Sequence, residues 1–124
     1  MKILVAEDDL TMRHLMSTIL SRQGVTCTVV GDGVGVVEAW ERDHYDCILM
    51  DVQMPLLDGL KATQMIRERE VKRGGHTIII AVTAFAADSD RERCLQSGMD
   101  DYVSKPVDID LLLTLIDKHS APLS

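Results

Sequence analysis

Six side chains of chemically useful type stand where short apolar runs end. Glu7 and Asp8, with Asp9 behind them, come straight after the run Lys2–Ala6. Asp51 follows Asp46–Met50, and Thr83 follows Thr77–Val82. Lys105 lies just beyond Asp101–Val103 and precedes Pro106. Gathered in one place, these residues would supply several carboxylates, a hydroxyl and an ammonium. Two carboxylates about 5 Å apart repel by roughly 3 kcal/mol at an effective dielectric of about 20. Lys105 would offset part of that repulsion. A hard divalent cation would offset the rest, and an all-oxygen ligand set that keeps some water favours Mg²⁺. Such a site can accept a phosphoryl group. The free carboxylate attacks, the metal and ammonium neutralise phosphoryl oxygens, and the hydroxyl hydrogen-bonds another. Each feature alone has a plainer reading. An acidic run after a strand caps the next helix, a threonine at a strand end is a local cap, and a lysine before proline is a solvated loop residue. What sets them apart is the combination, each at the end of a different run.

The elements that must bring them together are legible as an alternation. The runs Lys2–Ala6, Val25–Val30, Asp46–Met50, Thr77–Val82 and Asp101–Val103 are short and bounded by acidic residues, Gly or Pro, as in strands buried on both faces. Between them the apolar period becomes helical. Met12, Leu15, Met16, Ile19 and Leu20 form one stripe, and Ile109, Leu112, Leu113 and Ile116 form another. Asp9 suits the N-cap of the first helix, and Gly24 follows its end. Val36 and Trp40 share a face of the second, where Gly35 costs about 1 kcal/mol relative to Ala. The third spans about 58–72 and leaves through Gly74-Gly75. The fourth, about 88–97, is mostly polar and ends at Gly98. Five strand–helix repeats predict an α/β fold, a doubly wound five-stranded parallel sheet with right-handed crossovers and helices on both faces. Ligands of such sheets sit at the carboxyl ends of the strands, where strand order reverses. All six residues fall at those ends.

Composition narrows the function further. A chain of 124 residues and 13.8 kDa is expected to be one domain spanning 1–124. Surface scaling gives a folded area of roughly 6,600 Å² against roughly 20,000 Å² extended, enough for a core without metal or disulfide staples. With 46% hydrophobic and 27% charged residues the chain is ordinary for a globular protein and not disordered. No apolar run approaches the roughly 18–20 residues of a membrane span, and Glu7, Asp8 and Asp9 interrupt any signal-peptide core. A net charge of −7 argues against direct nucleic-acid binding. Cys27, Cys47 and Cys94 form no C-x-x-C pair, so a disulfide framework and a zinc site are both disfavoured and a reduced, cytoplasmic setting is expected. His14, His44, His76 and His119 show no ligand spacing.

The segments Ile3-Leu4-Val5-Ala6-Glu7-Asp8-Asp9, Ile48-Leu49-Met50-Asp51-Val52-Gln53-Met54-Pro55, Val82-Thr83-Ala84 and Tyr102-Val103-Ser104-Lys105-Pro106 resemble the receiver domain of two-component response regulators. The likeness runs from Lys2 to about Lys118. It implies the flavodoxin-like (βα)5 strand order 2-1-3-4-5 and a role for each residue. Asp51 would be the phosphoacceptor, and Asp8 a direct metal ligand. Glu7 would be its acidic partner, acting through water or in the outer shell. The backbone carbonyl of Gln53 would complete the protein ligands of Mg²⁺, or of Mn²⁺ in its place. Thr83 and Lys105 would bind phosphoryl oxygens, the Lys105-Pro106 bond would be cis, and Tyr102 would be the switch aromatic. The tract 51–59, with Gly98-Met99-Asp100-Asp101-Tyr102, is more similar to receivers fused to hybrid sensor kinases than to those of DNA-binding regulators. Gly35-Val36 and Thr11-Met12 depart from the family's usual residues, away from the site.

The implied function is that of a phosphoacceptor signalling domain rather than an enzyme. Its donor would be a histidine kinase or a histidine phosphotransfer protein. Phosphorylation would draw Thr83 toward the new oxygens, let Tyr102 turn inward, and change the surface of helix 4, strand 5 and helix 5. Leu111 and Leu115, opposite the main stripe of the last helix, read either as half-exposed leucines or as a contact for a downstream partner, a fused domain or a homodimer mate. Gln53 and Phe85 would flank the path of the hydrolytic water. Three rivals share some of these features. A flavodoxin-like carrier would need a hydroxyl- and Gly-rich loop after the first strand, where Glu-Asp-Asp would repel a flavin phosphate. An aspartate-nucleophile phosphohydrolase would usually have an acid two residues after Asp51, where Gln53 stands. A receiver-shaped binding module without phosphorylation would not need the full pocket.

Overall fold

The computed structural model describes residues 1–52, 57–84 and 88–120. The elements are β1 (Lys2–Ala6), α1 (Leu10–Arg22), β2 (Thr26–Val30), α2 (Gly33–Arg42), β3 (Cys47–Asp51), α3 (Gly59–Arg73), β4 (Ile78–Thr83), α4 (Asp88–Gln96), β5 (Asp101–Ser104) and α5 (Ile109–Ser120). All five strands are parallel, in the order β2-β1-β3-β4-β5. The expected sheet and strand order are therefore present. No helix among the described residues is long and apolar enough to cross a membrane.

The period of two along each strand divides the core into two layers. Leu4, Ala6, Ile48, Met50, Ile79 and Ala81 face Val36, Trp40, Ala62, Ile66 and Cys94 on the α2, α3 and α4 side. Ile3, Val5, Leu49, Ile80, Val82 and Val103 face Met16, Leu20, Leu112 and Ile116 of α1 and α5. A fully buried leucine such as Leu20 contributes about 1.5–3 kcal/mol by leaving water. The inner strands β1, β3 and β4 are covered on both faces. β2 is an edge strand and only half-buried, so Cys27 lies at intermediate exposure while Cys47 and Cys94 are buried; all three are free. The apolar run alone could not distinguish an edge from a central strand.

Capping sets where the helices begin. Asp9 accepts hydrogen bonds from the backbone N–H groups of Thr11 and Met12 at 2.8 and 3.2 Å, as expected. Asp32 and Asp58 do the same for α2 and α3, accepting from Gly35 N–H and Lys61 N–H at 2.7 and 2.8 Å. Three strands, β3, β4 and β5, run one residue further than their apolar pattern. Asp51 pairs with Val82, and Thr83 pairs with Ser104, so both side chains are held by ladder positions rather than by loops.

Two leucines depart from the sequence pattern. Leu15, in the core stripe of α1, is 48% exposed. Leu115, expected opposite the core side of α5, packs against the α1/α5 layer, while Leu111 is 47% exposed. The paired patch on α5 thus reduces to Leu111, because the apolar side of this helix is wide enough to include Leu115.

At the other end of the sheet, Arg67 ties α3 to the turn between α4 and β5. Its Nε donates to Gly98 O at 2.8 Å, Nη1 to Glu70 and Thr77 O at 2.7 and 2.8 Å, and Nη2 to Asp100 at 2.8 Å. Asp100 also accepts from Ile79 N–H at 2.8 Å. Glu70 is buried, so removing its cation leaves a charge without compensation. Arg67→Met is expected to lower unfolding free energy by about 3 kcal/mol, measured by urea denaturation at neutral pH; a loss below about 1 kcal/mol would show that the network is not cooperative.

Candidate functional site

Parallel strands deliver their carboxyl ends to one edge, and the six side chains meet there. A cleft of about 400 Å³ is lined by Glu7, Asp8, Asp9, Asp51, Thr83, Ala84 and Lys105. Glu7 leaves β1 and is 4% exposed; its backbone N–H donates to Val30 O at 3.0 Å, which fixes the strand end against β2. Asp8 is exposed to the cleft. Asp51 and Thr83 end β3 and β4 and are buried. Lys105 follows β5, and its backbone N–H donates to Thr83 O at 2.8 Å. The Lys105-Pro106 bond is cis.

The Lys105 ammonium reaches two strands at once. Its Nζ lies 3.2 Å from Asp51 Oδ2 and 3.2 and 3.3 Å from the two Glu7 oxygens. Burial draws the Lys105 ammonium down, but Asp51 and Glu7 outweigh it and raise its pKa above the ordinary value. Burial, and next to it the facing Asp51 carboxylate, push Glu7 up to about 7, against the pull of Lys105. The site is therefore short of positive charge. One ammonium faces three acidic groups.

Glu7, Asp8 and Asp51 each offer a ligand oxygen, all within 4.8 Å of one another. Among the described residues no other His, Cys, Asp or Glu cluster could hold an ion. The donors are all carboxylate oxygens, the set that Mg²⁺ prefers, and the open cleft leaves room for water ligands. The residues fit the ion. Gln53 and Phe85 lie outside the described residues.

Tyr102 lies at the neighbouring position on β5. It pairs with Ala81, two residues before Thr83, so Tyr102 and Thr83 share the α4 side of the sheet. Burial, with Cys94 and Asp90 of α4 nearby, raises the Tyr102 pKa. Sequence reasoning found every charged group of the cleft. It missed Ala84, which lines the cleft, because a small residue after a strand carries no chemical signal.

The sheet and its acidic edge define an α/β domain with a carboxylate cluster that could hold a divalent ion beside the Lys105–Asp51 pair. Residues 3–117 match the family described as "Response regulator receiver domain", and the chain belongs to that family. It is similar to hybrid signal transduction histidine kinase I of Dictyostelium discoideum, 46% identical over 121 residues that cover 94% of this chain and 7% of that protein. The chain thus spans a small fraction of the curated relatives it matches. Among solved structures it resembles the receiver domain of sensor histidine kinase PA1611 from Pseudomonas aeruginosa (TM-score 0.87, 40% identity, 98% of each chain), described with magnesium coordinated in the active-site cleft. It also resembles the receiver in the co-crystal structure of Saccharomyces cerevisiae Ypd1, a histidine phosphotransfer signalling protein, with the receiver domain of Ssk1. There the TM-score is 0.88 and the identity 28%, over 95% of this chain and 87% of that one. The chain is a receiver domain of the kind that accepts phosphoryl groups in two-component phosphorelays.

Asp8→Asn removes one negative charge while leaving both Lys105 contacts in place. The variant is expected to melt at a higher temperature than wild type in EDTA, because repulsion falls, and to bind Mg²⁺ about tenfold or more weakly. Thermal unfolding with and without Mg²⁺, together with calorimetric titration, measures both. Unchanged Mg²⁺ affinity would remove Asp8 from the ligand set.

Proposed function

We propose that Asp51 is the phosphoacceptor of a phosphorelay, charged by the phosphohistidine of a histidine kinase or a histidine phosphotransfer protein. One observation carries this reading: Lys105 Nζ stands 3.2 Å from Asp51 Oδ2 in a cleft whose other walls are Glu7, Asp8 and Thr83. An Asp51 oxygen forms the O–P bond as the P–N bond of the donor breaks, and the electron pair leaves with the imidazole. Asp8 and Asp51, with Glu7 beside them, would hold Mg²⁺, which would supply positive charge to the phosphoryl oxygens. Lys105 binds one of those oxygens and Thr83 another. Mn²⁺ could replace Mg²⁺ there. The chain catalyses at most its own phosphorylation and dephosphorylation; it is regulatory, not a turnover enzyme.

Acceptor chemistry replaces one negative charge with about two. Thr83 follows the new oxygens, and Tyr102, on the same side of the sheet, moves toward the position it leaves. Because Tyr102 lies beside α4, that motion reaches the face made by α4, β5 and α5. Leu95 of α4 and Leu111 of α5 are exposed and give a downstream partner, a fused domain or a second copy an apolar foothold. The domain works in a reducing cytoplasm, as its three free thiols suggest. The net charge of −7 disfavours nucleic acid as the direct partner.

A donor protein must bring its imidazole to the cleft mouth. Met12, Leu15, Met16 and Ile19 of α1, with Pro106, Val107 and Ile109, line an apolar groove of about 430 Å³ that shares Lys105 with the acidic cleft. The exposure of Leu15, anomalous for a core stripe, fits a docking role for this groove.

Incubation with acetyl phosphate and Mg²⁺ is expected to add one phosphoryl group to the intact mass of wild type and none to Asp51→Asn. Absence of the adduct, under conditions where another receiver reacts, would contradict the reading. Leu15→Asp is expected to slow transfer from a phosphorylated histidine phosphotransfer protein by about tenfold or more, while phosphorylation by acetyl phosphate stays at the wild-type rate. Equal loss with both donors would show that Leu15 supports the fold and not docking.

A further inference from the structure

We propose that Gly33, outside the acidic cleft, is a positioning residue for Asp51. This inference rests on Asp51 being the phosphoacceptor. Gly33 is the buried first residue of α2. A Cβ built on it would lie 2.0 Å from Leu57 O, 2.7 Å from the Leu57 carbonyl carbon and 2.8 Å from Leu57 Cβ. Gly33 is not among the positive-φ glycines, so its backbone conformation does not demand glycine. The close approach to Leu57 does.

Leu57 leads through the cap residue Asp58 to Gly59, where a second close approach occurs. A Cβ on Gly59 would lie 2.3 Å from Asp51 O, 3.0 Å from Met50 Cγ and 3.1 Å from Val52 Cα. The Gly59 N–H also donates to Val52 O at 3.0 Å. At both steps the nearest atom is a backbone carbonyl oxygen, Leu57 O and Asp51 O, which cannot swing aside as the end of a side chain can. α2 cannot withdraw to relieve it, because Val36, Val37 and Trp40 are buried and Asp32 caps the helix. The same corner touches the other side of the site, since Val30 O accepts from Glu7 N–H at 3.0 Å. The β2–α2 corner thus registers both Glu7 and Asp51, and with them the spacing of the carboxylates.

A methyl group at position 33 must displace Leu57 by roughly 1.5 Å to reach ordinary contact distance. Gly35, two residues along the same helix, is the control. A Cβ there meets nothing closer than 3.4 Å. Gly33→Ala is expected to lower the rate of Asp51 phosphorylation by acetyl phosphate at saturating Mg²⁺, and the Mg²⁺ affinity, by about tenfold to a hundredfold. Gly35→Ala should keep both at wild-type values and unfold at a higher temperature. Both readouts are taken on protein shown to be folded by circular dichroism. If Gly33→Ala does not fold, Leu57→Ala replaces it; trimming the side chain that seats Leu57 against α2 should weaken Mg²⁺ binding several-fold in folded protein, roughly three- to tenfold. A folded Gly33→Ala or Leu57→Ala with wild-type Mg²⁺ affinity and rate overturns the proposal. A wild-type chain that binds Mg²⁺ yet takes no phosphoryl group would instead overturn the acceptor reading, while the Mg²⁺ titrations still decide the role of Gly33.

Discussion

A single ammonium between two buried carboxylates is the interaction on which this domain depends. Lys105 is 3.2 Å from both Asp51 and Glu7, and the exposed Asp8 adds a third acid to the same cleft. The carboxylates outnumber the ammonium, and burial together with the facing Asp51 raises Glu7 to about 7. Such a site stores repulsion that a divalent ion relieves. Lys105 divides its contacts between Asp51 and Glu7, so neither carboxylate has the ammonium to itself. Fewer acids here would lower the repulsion, as expected of a cluster kept at some cost in stability.

The parallel sheet makes this arrangement possible. Strands pointing the same way bring residues 7, 51, 83 and 105 to one edge, although nearly a hundred residues separate the first from the last. Ladder pairing of Asp51 and Thr83 makes their positions a property of the sheet. At the opposite end, Arg67 binds α3, the turn before β5 and the start of β4 into one buried network. The side of the cleft facing α4 carries Thr83 and Tyr102, and α4 itself is short, mostly polar and contributes few side chains to the core. The α4 side of the cleft is thus packed by fewer buried side chains than the α2 and α3 side.

The charged machinery could be read from the sequence because chemistry requires particular residue types and the apolar runs located the strand ends. The five-fold alternation gave the sheet, and the family resemblance gave its strand order. What escaped were features defined only by tertiary contact. The half-burial of β2 is not marked in its apolar run. Leu111 and Leu115 look alike on a helical wheel, but only Leu115 meets the core. Leu15 fits the core period yet lies beside a groove that α1 forms with the chain around Pro106. Gly33 and Gly59 carry no conformational signature; their need for a bare Cα exists only once α2 and α3 close on the chain between them.

The most direct test of the charge-balance account is a crystal structure with Mg²⁺ and beryllofluoride, a stable phosphoryl mimic. The account predicts beryllofluoride on an Asp51 oxygen, one fluorine on Lys105 Nζ, another on the Thr83 hydroxyl, and Mg²⁺ bound by Asp8 and Asp51. Mimic or metal bound elsewhere, or Lys105 turned out to solvent in that complex, would contradict it.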